Sequence, residues 1–152
     1  MADKTVALPD NLSAEEARNA RAVLCLNALV NAGDYGAMDA LFAADYADHN
    51  PGWQVESLAE LKKLIRFGHD AFGVRNEVDW IIAAGDKVFV RVLNHGRHAA
   101  AVFGKPPTGK ETCMTTFEIY RFQGGRIVER WVVSDLIGLM RQLGVELPVK
   151  LS

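Results

Sequence analysis

The chain of 152 residues is 49% hydrophobic and 24% charged, which are ordinary values for a globular domain. Lys and Arg number 17 against 19 Asp and Glu, so the sequence lacks the basic stripe that nucleic-acid binding requires. It has neither the roughly 20 consecutive apolar residues of a membrane helix nor the apolar core of a signal peptide. We therefore expect one soluble, cytoplasmic domain over residues 1–152, with neither nucleic acid nor a membrane as partner.

The N-terminal part of the chain has the pattern of a capped helix behind a loose arm. The arm is expected over residues 1–10. Ser13 and Glu16 then have the three-residue spacing of a capping box. Apolar residues recur at helical spacing to about Ala32, where Gly33 ends the first predicted helix.

Two more helices are predicted before the middle of the chain. Asp34 is the expected cap of a short helix that includes Phe42. A second capping box, formed by Ser57 and Glu60, opens a longer helix that ends near Gly73. The segment between these helices, DYADHNPGW, is rich in turn-forming residues and predicts irregular structure.

The second half of the chain predicts four β-strands in two hairpins. Gly85–Asp86 joins the first pair of strands, and the QGG stretch joins the second pair. A last short helix ends at Gly144. Helices followed by antiparallel strands and a closing helix indicate an α+β fold, with the N-terminal helices lying across a strongly curved sheet.

The two cysteines, Cys25 and Cys113, lie far apart in dissimilar segments. Their spacing fits neither a zinc site nor a redox motif. We interpret them as buried free thiols in a reducing compartment.

The last predicted strand, RIVERWVVSD, mixes acids with apolar residues on one face. Strict alternation places these five residues together: Ile127, Glu129, Trp131, Val133 and Asp135. We interpret this face as the wall of a wet, partly apolar cavity, in which burial would raise a carboxyl pKa toward the range useful for proton transfer. The structural alternatives are that Asp135 caps the last helix and that Glu129 belongs to a sheet edge or an ion pair.

The neighbouring strands add polar candidates. Asn94 and His98 share one face of their strand, and His98 borders a loop rich in Gly and Pro. Thr116 and Glu118 also share a face. If these two face the same space as Asp135, the site is rich in titratable groups. If they face outward, they are solvent-exposed or form a subunit contact.

The turn-rich segment before the third helix holds two further candidates. His49 either lies at the mouth of the cavity or caps the turn, and Trp53 is a candidate substrate contact. His69, near the end of the third helix, is interpreted as a surface residue or as a partner of the helix dipole. Neither a phosphate loop nor a dinucleotide fingerprint nor a metal-ligand spacing is present, so we expect no cofactor and no metal.

Several segments together resemble the SnoaL-like polyketide cyclases, which belong to the cystatin-like superfamily with the cone-shaped fold of nuclear transport factor 2. They occur in the family's order: YADHNP, GRH, FGKPPTGK, FEIYRFQGGRIVERW, Asp135 and RQLG. The resemblance covers the chain from about Ala14 to Gly144. It implies a curved, mostly antiparallel sheet around a pocket closed by helices, and a homodimer associated through the sheet.

The resemblance also implies an activity. We predict an acid/base-catalysed intramolecular aldol-type cyclisation, or a related isomerisation, of an apolar, oxygenated, polyketide-like molecule. The family needs neither metal nor cofactor, and an aspartate in the pocket is its acid/base. Asp135 is matched to that aspartate, with His98 as a second catalytic candidate and His49 as a pocket neighbour. The remaining substrate-binding candidates are Trp131, Glu118, Thr116, Asn94, Glu129 and Trp53.

Two other activities on the same fold remain open. A ketosteroid-isomerase-like double-bond shift would need a tyrosine on the first helix as oxyanion donor, but the first tyrosine of the chain is Tyr35, beyond that helix. An epoxide-opening hydrolase would need an acid–arginine–acid group around a water molecule. The arginines available for it are Arg91, Arg121 and Arg130.

The alternative from another class is a non-catalytic module that binds a small ligand or mediates dimerisation. It is favoured if Asp135 bonds to its own helix N-terminus with no histidine or acid nearby. The enzyme is favoured if Asp135 and His98 reach an apolar cavity lined by Trp131. If Asp135 is not the acid/base, another acid such as Glu118 becomes the candidate.

Overall fold

The structure is a computed structural model that describes residues 6–147, in which one sheet is covered by helices on its inner face. The α-helices are α1 (Ala14–Ala32), α2 (Leu58–Phe72) and α3 (Leu136–Gln142). The strands are β1 (Phe42–His49), β2 (Arg75–Ala84), β3 (Lys87–Arg97), β4 (Glu111–Gln123) and β5 (Arg126–Ser134). The strand order is β1-β5-β4-β3-β2, and only the β1–β5 pair is parallel. The predicted α+β fold is confirmed.

Both predicted capping boxes are present. At the start of α1, Ser13 Oγ accepts a hydrogen bond from Glu16 N at 3.2 Å, and Ser13 N donates to the Glu16 carboxylate at 2.9 Å. The same carboxylate accepts a bond from Gly85 N at 2.8 Å, which fastens α1 to the β2–β3 hairpin. Ser57 and Glu60 form the equivalent pair at the start of α2. In residues 6–147, no helix is long and apolar enough to cross a membrane.

The segment that precedes Pro51 is a strand, so the prediction of irregular structure there is wrong for residues 45–49. Phe42, predicted as part of a helix, opens β1, and a short 3-10 helix over Ala37–Leu41 replaces the second predicted helix. Gly36, not the predicted Asp34, is at the N-cap position of this helix, although Asp34 Oδ1 accepts a bond from Ala37 N at 3.0 Å. The segment has little intrinsic strand preference. It becomes a strand because it pairs with β5, for example His49 with Trp131.

One extra residue in β5 interrupts the regular alternation of its side chains. Phe122 of β4 pairs with Ile127, whereas the preceding Arg121 pairs with Glu129. Val128 is therefore unmatched, which makes it the site of a β-bulge. Because side chains alternate with a period of two, an unmatched residue reverses the face of everything that follows it.

The bulge overturns the predicted faces of β5. Ile127, before the bulge, is fully buried in the core. After the bulge, Arg130 and Val132 point inward and are buried, whereas Val133 is 71% exposed on the outer face. Glu129 and Trp131 accordingly leave the inner face, and the prediction that they share it with Ile127 is wrong.

The core lies between α1 and the inner face of β2 and β3. Its fully buried members include Val23 on α1 and three valines of β3: Val88, Val90 and Val92. The close approach of α2 to β3 depends on Gly96, where a Cβ would lie 2.8 Å from the Phe72 Cβ. The predicted loose arm lies partly outside the described residues, in 1–5, and Val6 and Leu8 of its remainder pack against the core.

Both cysteines are free and exposed, so the prediction that they are buried is wrong. Cys25 lies on the solvent side of α1, between the inward-facing residues of that helix. Cys113 lies on the outer face of β4, opposite His95 of β3. The burial of a cysteine in a helix or strand thus depends on the face of the element on which it lies, and residue type alone does not predict it.

Candidate active site

A cavity of about 140 Å³ lies between the inner face of the sheet and helices α1 and α2. Its helical wall is mostly apolar and includes Leu26, Val30, Leu61, Leu64, Ile65 and Phe72, with Asn27 and His69 as polar members. Trp53 and Phe67 also line it, and Trp53 contacts Phe67 and Phe103 with ring centroids 6.2 and 6.0 Å away. The two helices thus supply a mostly apolar wall to the cavity.

The sheet side of the cavity carries a row of polar side chains, one from each of four strands. Asn94 Nδ2 donates to Asn76 Oδ1 at 2.8 Å, and Thr116 Oγ1 donates to Asn94 Oδ1 at 2.7 Å. The Oγ atoms of Thr116 and Ser134 lie 3.4 Å apart. All four line the cavity, so a ligand there would have hydrogen-bonding groups on the side facing the sheet.

Next to this row, a buried arginine lies between two carboxylates. Arg130 Nη2 is 3.1 Å from Asp48 Oδ2, and its Nη1 is 3.6 Å from Glu118 Oε2. Tyr46 donates its hydroxyl hydrogen to Asp48 at 2.6 Å, and Tyr120 donates to Glu118. Glu118, Tyr120 and Arg130 line the cavity, whereas Asp48, with a side chain 0% exposed, lies behind them. The group is acid–arginine–acid, with a phenol on each acid.

Burial and neighbouring charges fix the protonation states of three members of this group. Burial raises the pKa of Tyr120 well above its usual value, and the Glu118 carboxylate raises it further. Burial likewise raises the pKa of Tyr46. Burial alone would lower the pKa of Arg130, but the negative charge of Glu118 and its neighbours raises it above the usual value. Both phenols therefore remain donors, and the guanidinium remains charged.

Two atoms of this group are buried without a hydrogen-bond partner among the described residues: Asp48 Oδ1 and Arg130 Nε. Buried polar atoms are normally hydrogen-bonded, so two unpaired atoms in one group call for an explanation, and a functional role of the group is one. In residues 6–147, no cluster of three or more His, Cys, Asp or Glu side chains is placed to hold a metal ion.

Four of the residues predicted for the site do line the cavity: Glu118, Thr116, Asn94 and Trp53. Asp135 is not among the lining residues. Its Oδ1 accepts a hydrogen bond from Gly138 N at 2.8 Å, so it caps α3. A Cβ on Gly138 would lie 2.1 Å from the Asp135 carboxylate, which shows how closely the cap is packed.

His98 is fully buried but does not line the cavity. Its Nδ1 accepts a bond from Thr108 N at 3.3 Å, across the base of the β3–β4 loop. Its ring stacks on Phe72, with centroids 5.6 Å apart, and its Nε2 has no partner among the residues described. His98 therefore lies one layer behind the cavity wall.

His49, Glu129 and Trp131 lie together on the outer face of the sheet. His49 Nε2 is 2.8 Å from Glu129 Oε1, and the His49 ring stacks on Trp131 with centroids 5.3 Å apart. Arg121 Nε donates to Glu129 at 2.9 Å. The hydrogen bond from His49, and next that from Arg121, hold the pKa of Glu129 below its usual value. The prediction that Glu129 and Trp131 line the cavity is wrong because of the bulge at Val128. His49, predicted at the mouth of the cavity or as a cap of the turn, is instead the last residue of β1.

Asp48, Tyr120 and His69 were not predicted as site residues, and Arg130 was named only as one of three arginines available for an epoxide hydrolase. A signal for Tyr120 was available, since it is two residues from Glu118 and so shares its strand face. Asp48 was assigned to a turn because β1 was not predicted, and Arg130 was placed on the wrong face by the bulge. Nothing in the local pattern indicated that His69 faces the cavity.

A curved sheet with helices enclosing a pocket defines the chain as an α+β protein of the nuclear-transport-factor-2-like class. Residues 20–143 match the model of the SnoaL-like polyketide cyclase family, and the chain belongs to that family. No curated protein matches the chain.

Solved structures agree with this assignment. AclR from Streptomyces galilaeus, a candidate hydroxylase, is 28% identical over 85% of this chain and 97% of its own, with a TM-score of 0.76. IdmH from Streptomyces antibioticus, a candidate polyketide cyclase, is 29% identical over 84% and 99%, also with a TM-score of 0.76. A candidate polyketide cyclase from Acidithiobacillus ferrooxidans is 26% identical over 88% and 98%, with a TM-score of 0.75.

Proposed function

We propose that this protein is an acid/base enzyme that cyclises or isomerises a small, apolar, oxygenated molecule, with Glu118 as its base and without a cofactor. One observation carries the proposal. Glu118 is the one carboxylate among the described residues that line the cavity, and it faces a mostly apolar helical wall. A carboxylate positioned against a bound molecule can accept a proton from it.

The chemistry follows from this geometry. The Glu118 carboxylate takes a proton from a carbon next to a carbonyl group, which leaves an enolate. In a cyclisation, that carbon attacks a second carbonyl of the same molecule, a carbon–carbon bond forms, and the proton returns to the resulting alkoxide. In an isomerisation, the proton returns to another carbon. Arg130 and Tyr120 contact the carboxylate and orient it.

The size of the cavity limits the ligand. Its volume of about 140 Å³ is close to that of an engineered apolar cavity, of about 150 Å³, that binds benzene. We therefore propose a ligand of one or two rings, or an open chain of similar size. The row from Asn76 to Ser134 supplies donors and acceptors for its oxygens.

The test follows the exchange of carbon-bound hydrogen for deuterium in 2-tetralone, a two-ring ketone, by proton NMR in D₂O. The wild type is expected to accelerate the exchange, and Glu118→Gln to lower that acceleration by about 100-fold or more. Glu129→Gln is the matched control, because it removes a carboxylate from the outer face, and it should behave as the wild type. Unchanged exchange in Glu118→Gln, or no acceleration by the wild type, would contradict the proposal.

A second candidate is an epoxide-opening hydrolase, because the structure contains the acid–arginine–acid group that this activity needs. Of the three available arginines, Arg130 is the one placed between two acids, Asp48 and Glu118. Glu118, which lines the cavity, would take a proton from water, whose oxygen attacks an epoxide carbon and breaks its bond to the epoxide oxygen. Glu118 would then return that proton to the opened oxygen, giving a diol. Conversion of cyclohexene oxide to a diol that carries ¹⁸O from labelled water would support this candidate, and unchanged epoxide would exclude it for this substrate class.

The non-catalytic binding module remains the contrasting proposal. The cap formed by Asp135 is the arrangement expected of such a module. Glu118, however, gives the cavity an acid that does not depend on Asp135, and this is why we favour the enzyme.

We also propose a homodimer through the sheet, since the outer face carries a cluster of three aromatic rings and two exposed aliphatic residues. The cluster consists of Trp80, Phe89, Phe117, Ile82 and Val133.

A further inference from the structure

A histidine on the helical wall of the cavity is held by a tyrosine from outside it. His69, in the last turn of α2, lines the cavity. Its Nδ1 lies 2.6 Å from the hydroxyl oxygen of Tyr35, which follows α1. The Arg66 guanidinium lies 4.7 Å from the centroid of the Tyr35 ring. Since Nδ1 is occupied, Nε2 is the ring nitrogen that can bond to a ligand.

The neighbours of the pair favour one proton arrangement. A phenol is a better donor than an imidazole N–H, and an imidazole nitrogen is a better acceptor than a phenol oxygen. The charge of Arg66 over the ring face further stabilises the negative charge that the Tyr35 oxygen develops as it donates. These preferences favour Tyr35 as the donor to Nδ1, which places the single N–H of an imidazole at His69 on Nε2.

We propose that His69 binds an oxygen of the ligand by donating its Nε2 hydrogen, and that Tyr35 positions it by fixing this tautomer. The ligand class is then a ketone whose carbonyl oxygen meets α2. This inference rests on the proposed function, in which the carbon next to that carbonyl lies toward Glu118 on the sheet. An N–H aimed at a carbonyl oxygen stabilises the negative charge that appears there when the neighbouring carbon loses its proton.

In this arrangement the sheet side of the cavity accepts the proton and the helical side binds the oxygen. Glu118, held by Tyr120 and Arg130, accepts the proton at the sheet. His69, held by Tyr35, supports the oxygen at the helix. If the Tyr35–His69 bond served only to tie the chain after α1 onto α2, ligand chemistry would be indifferent to His69.

The test compares binding of 2-tetralone with binding of tetralin, a hydrocarbon of the same ring size without the oxygen. Quenching of the tryptophan fluorescence reports both affinities, because Trp53, one of the three tryptophans, lines the cavity. The ratio of the two affinities is expected to fall about tenfold in His69→Phe, the effect of one lost hydrogen bond. His69→Gln should retain most of the preference, because its amide nitrogen can take the place of Nε2. His95→Phe, which alters a histidine bonded to Glu77 on the outer face, is the matched control.

The tautomer is read separately by two-bond ¹H–¹⁵N NMR. Wild-type His69 is expected to carry its hydrogen on Nε2, to change its signals with 2-tetralone but not with tetralin, and to become a mixture of tautomers in Tyr35→Phe. A hydrogen on Nδ1, no binding of 2-tetralone, or an unchanged affinity ratio in His69→Phe would overturn the proposal. Both measurements are repeated in Glu118→Gln. If Glu118→Gln leaves the hydrogen exchange of 2-tetralone unchanged but the preference for the ketone persists, the proposed role of Glu118 is wrong and that of His69 stands.

Discussion

Glu118 and Arg130 meet at 3.6 Å between neighbouring strands, at the point where the cavity borders the buried charges. The guanidinium also contacts Asp48 at 3.1 Å, so a single cation serves two acids. A buried ion pair adds little net stability after desolvation, but removal of one partner leaves an uncompensated buried charge. Substitutions in this group therefore test whether the three charges depend on one another.

Replacing Arg130 alone should be costly. Arg130→Met leaves two carboxylates beside each other in a buried site, and we expect a loss of about 3–5 kcal/mol in the free energy of unfolding. Urea denaturation measures it. The triple variant Asp48→Asn, Glu118→Gln, Arg130→Met removes all three charges and should recover most of the loss. If the single variant were as stable as the wild type, the three side chains would not form the buried group described.

Asp135 should matter for stability and not for chemistry. Asp135→Ala removes the cap of α3 and should cost about 1 kcal/mol of unfolding free energy, whereas Asp135→Asn can still accept the bond from Gly138 and should cost less. Both should retain hydrogen exchange in 2-tetralone. A loss of about 100-fold in exchange by a folded Asp135→Asn protein would instead make Asp135 the acid/base.

The local patterns of the sequence specified most elements but not the orientation of β5. Capping boxes are local, so Ser13 and Ser57 fixed the starts of α1 and α2 correctly. The bulge at Val128 is set by pairing with β4, and one unmatched residue moved Arg130 from the predicted outer face to the cavity. β1 was missed for a similar reason, since its strand conformation depends on pairing with β5; His49 of β1 and Glu129 of β5, for example, are 80 residues apart in sequence. The site therefore depended on tertiary pairing that a local pattern does not contain.

The outer-face cluster around Glu129 predicts a pH dependence of stability. The hydrogen bonds from His49 and Arg121 lower the pKa of Glu129 in the folded protein. A lowered folded pKa means that the contribution is present above the ordinary carboxyl pKa of 4.5 and is lost as the pH falls through the folded value. Glu129→Gln should therefore be less stable than the wild type near pH 7, and the difference should shrink below about pH 4.5. Urea titrations at several pH values measure this, and a difference independent of pH would contradict it.

The proposed homodimer predicts a response to charge on the outer face. Val133 is 71% exposed and pairs with Phe117 in the aromatic cluster. Val133→Asp should leave the subunit folded, because the side chain is in solvent there, but should separate a dimer that buries it. Ile137→Asp on α3, where the side chain is 47% exposed and away from the sheet, is the matched control. Sedimentation equilibrium should show a dimer for the wild type and for Ile137→Asp, and a monomer for Val133→Asp. A monomeric wild type, or a dimer that tolerates Val133→Asp, would place the subunit contact elsewhere or remove it.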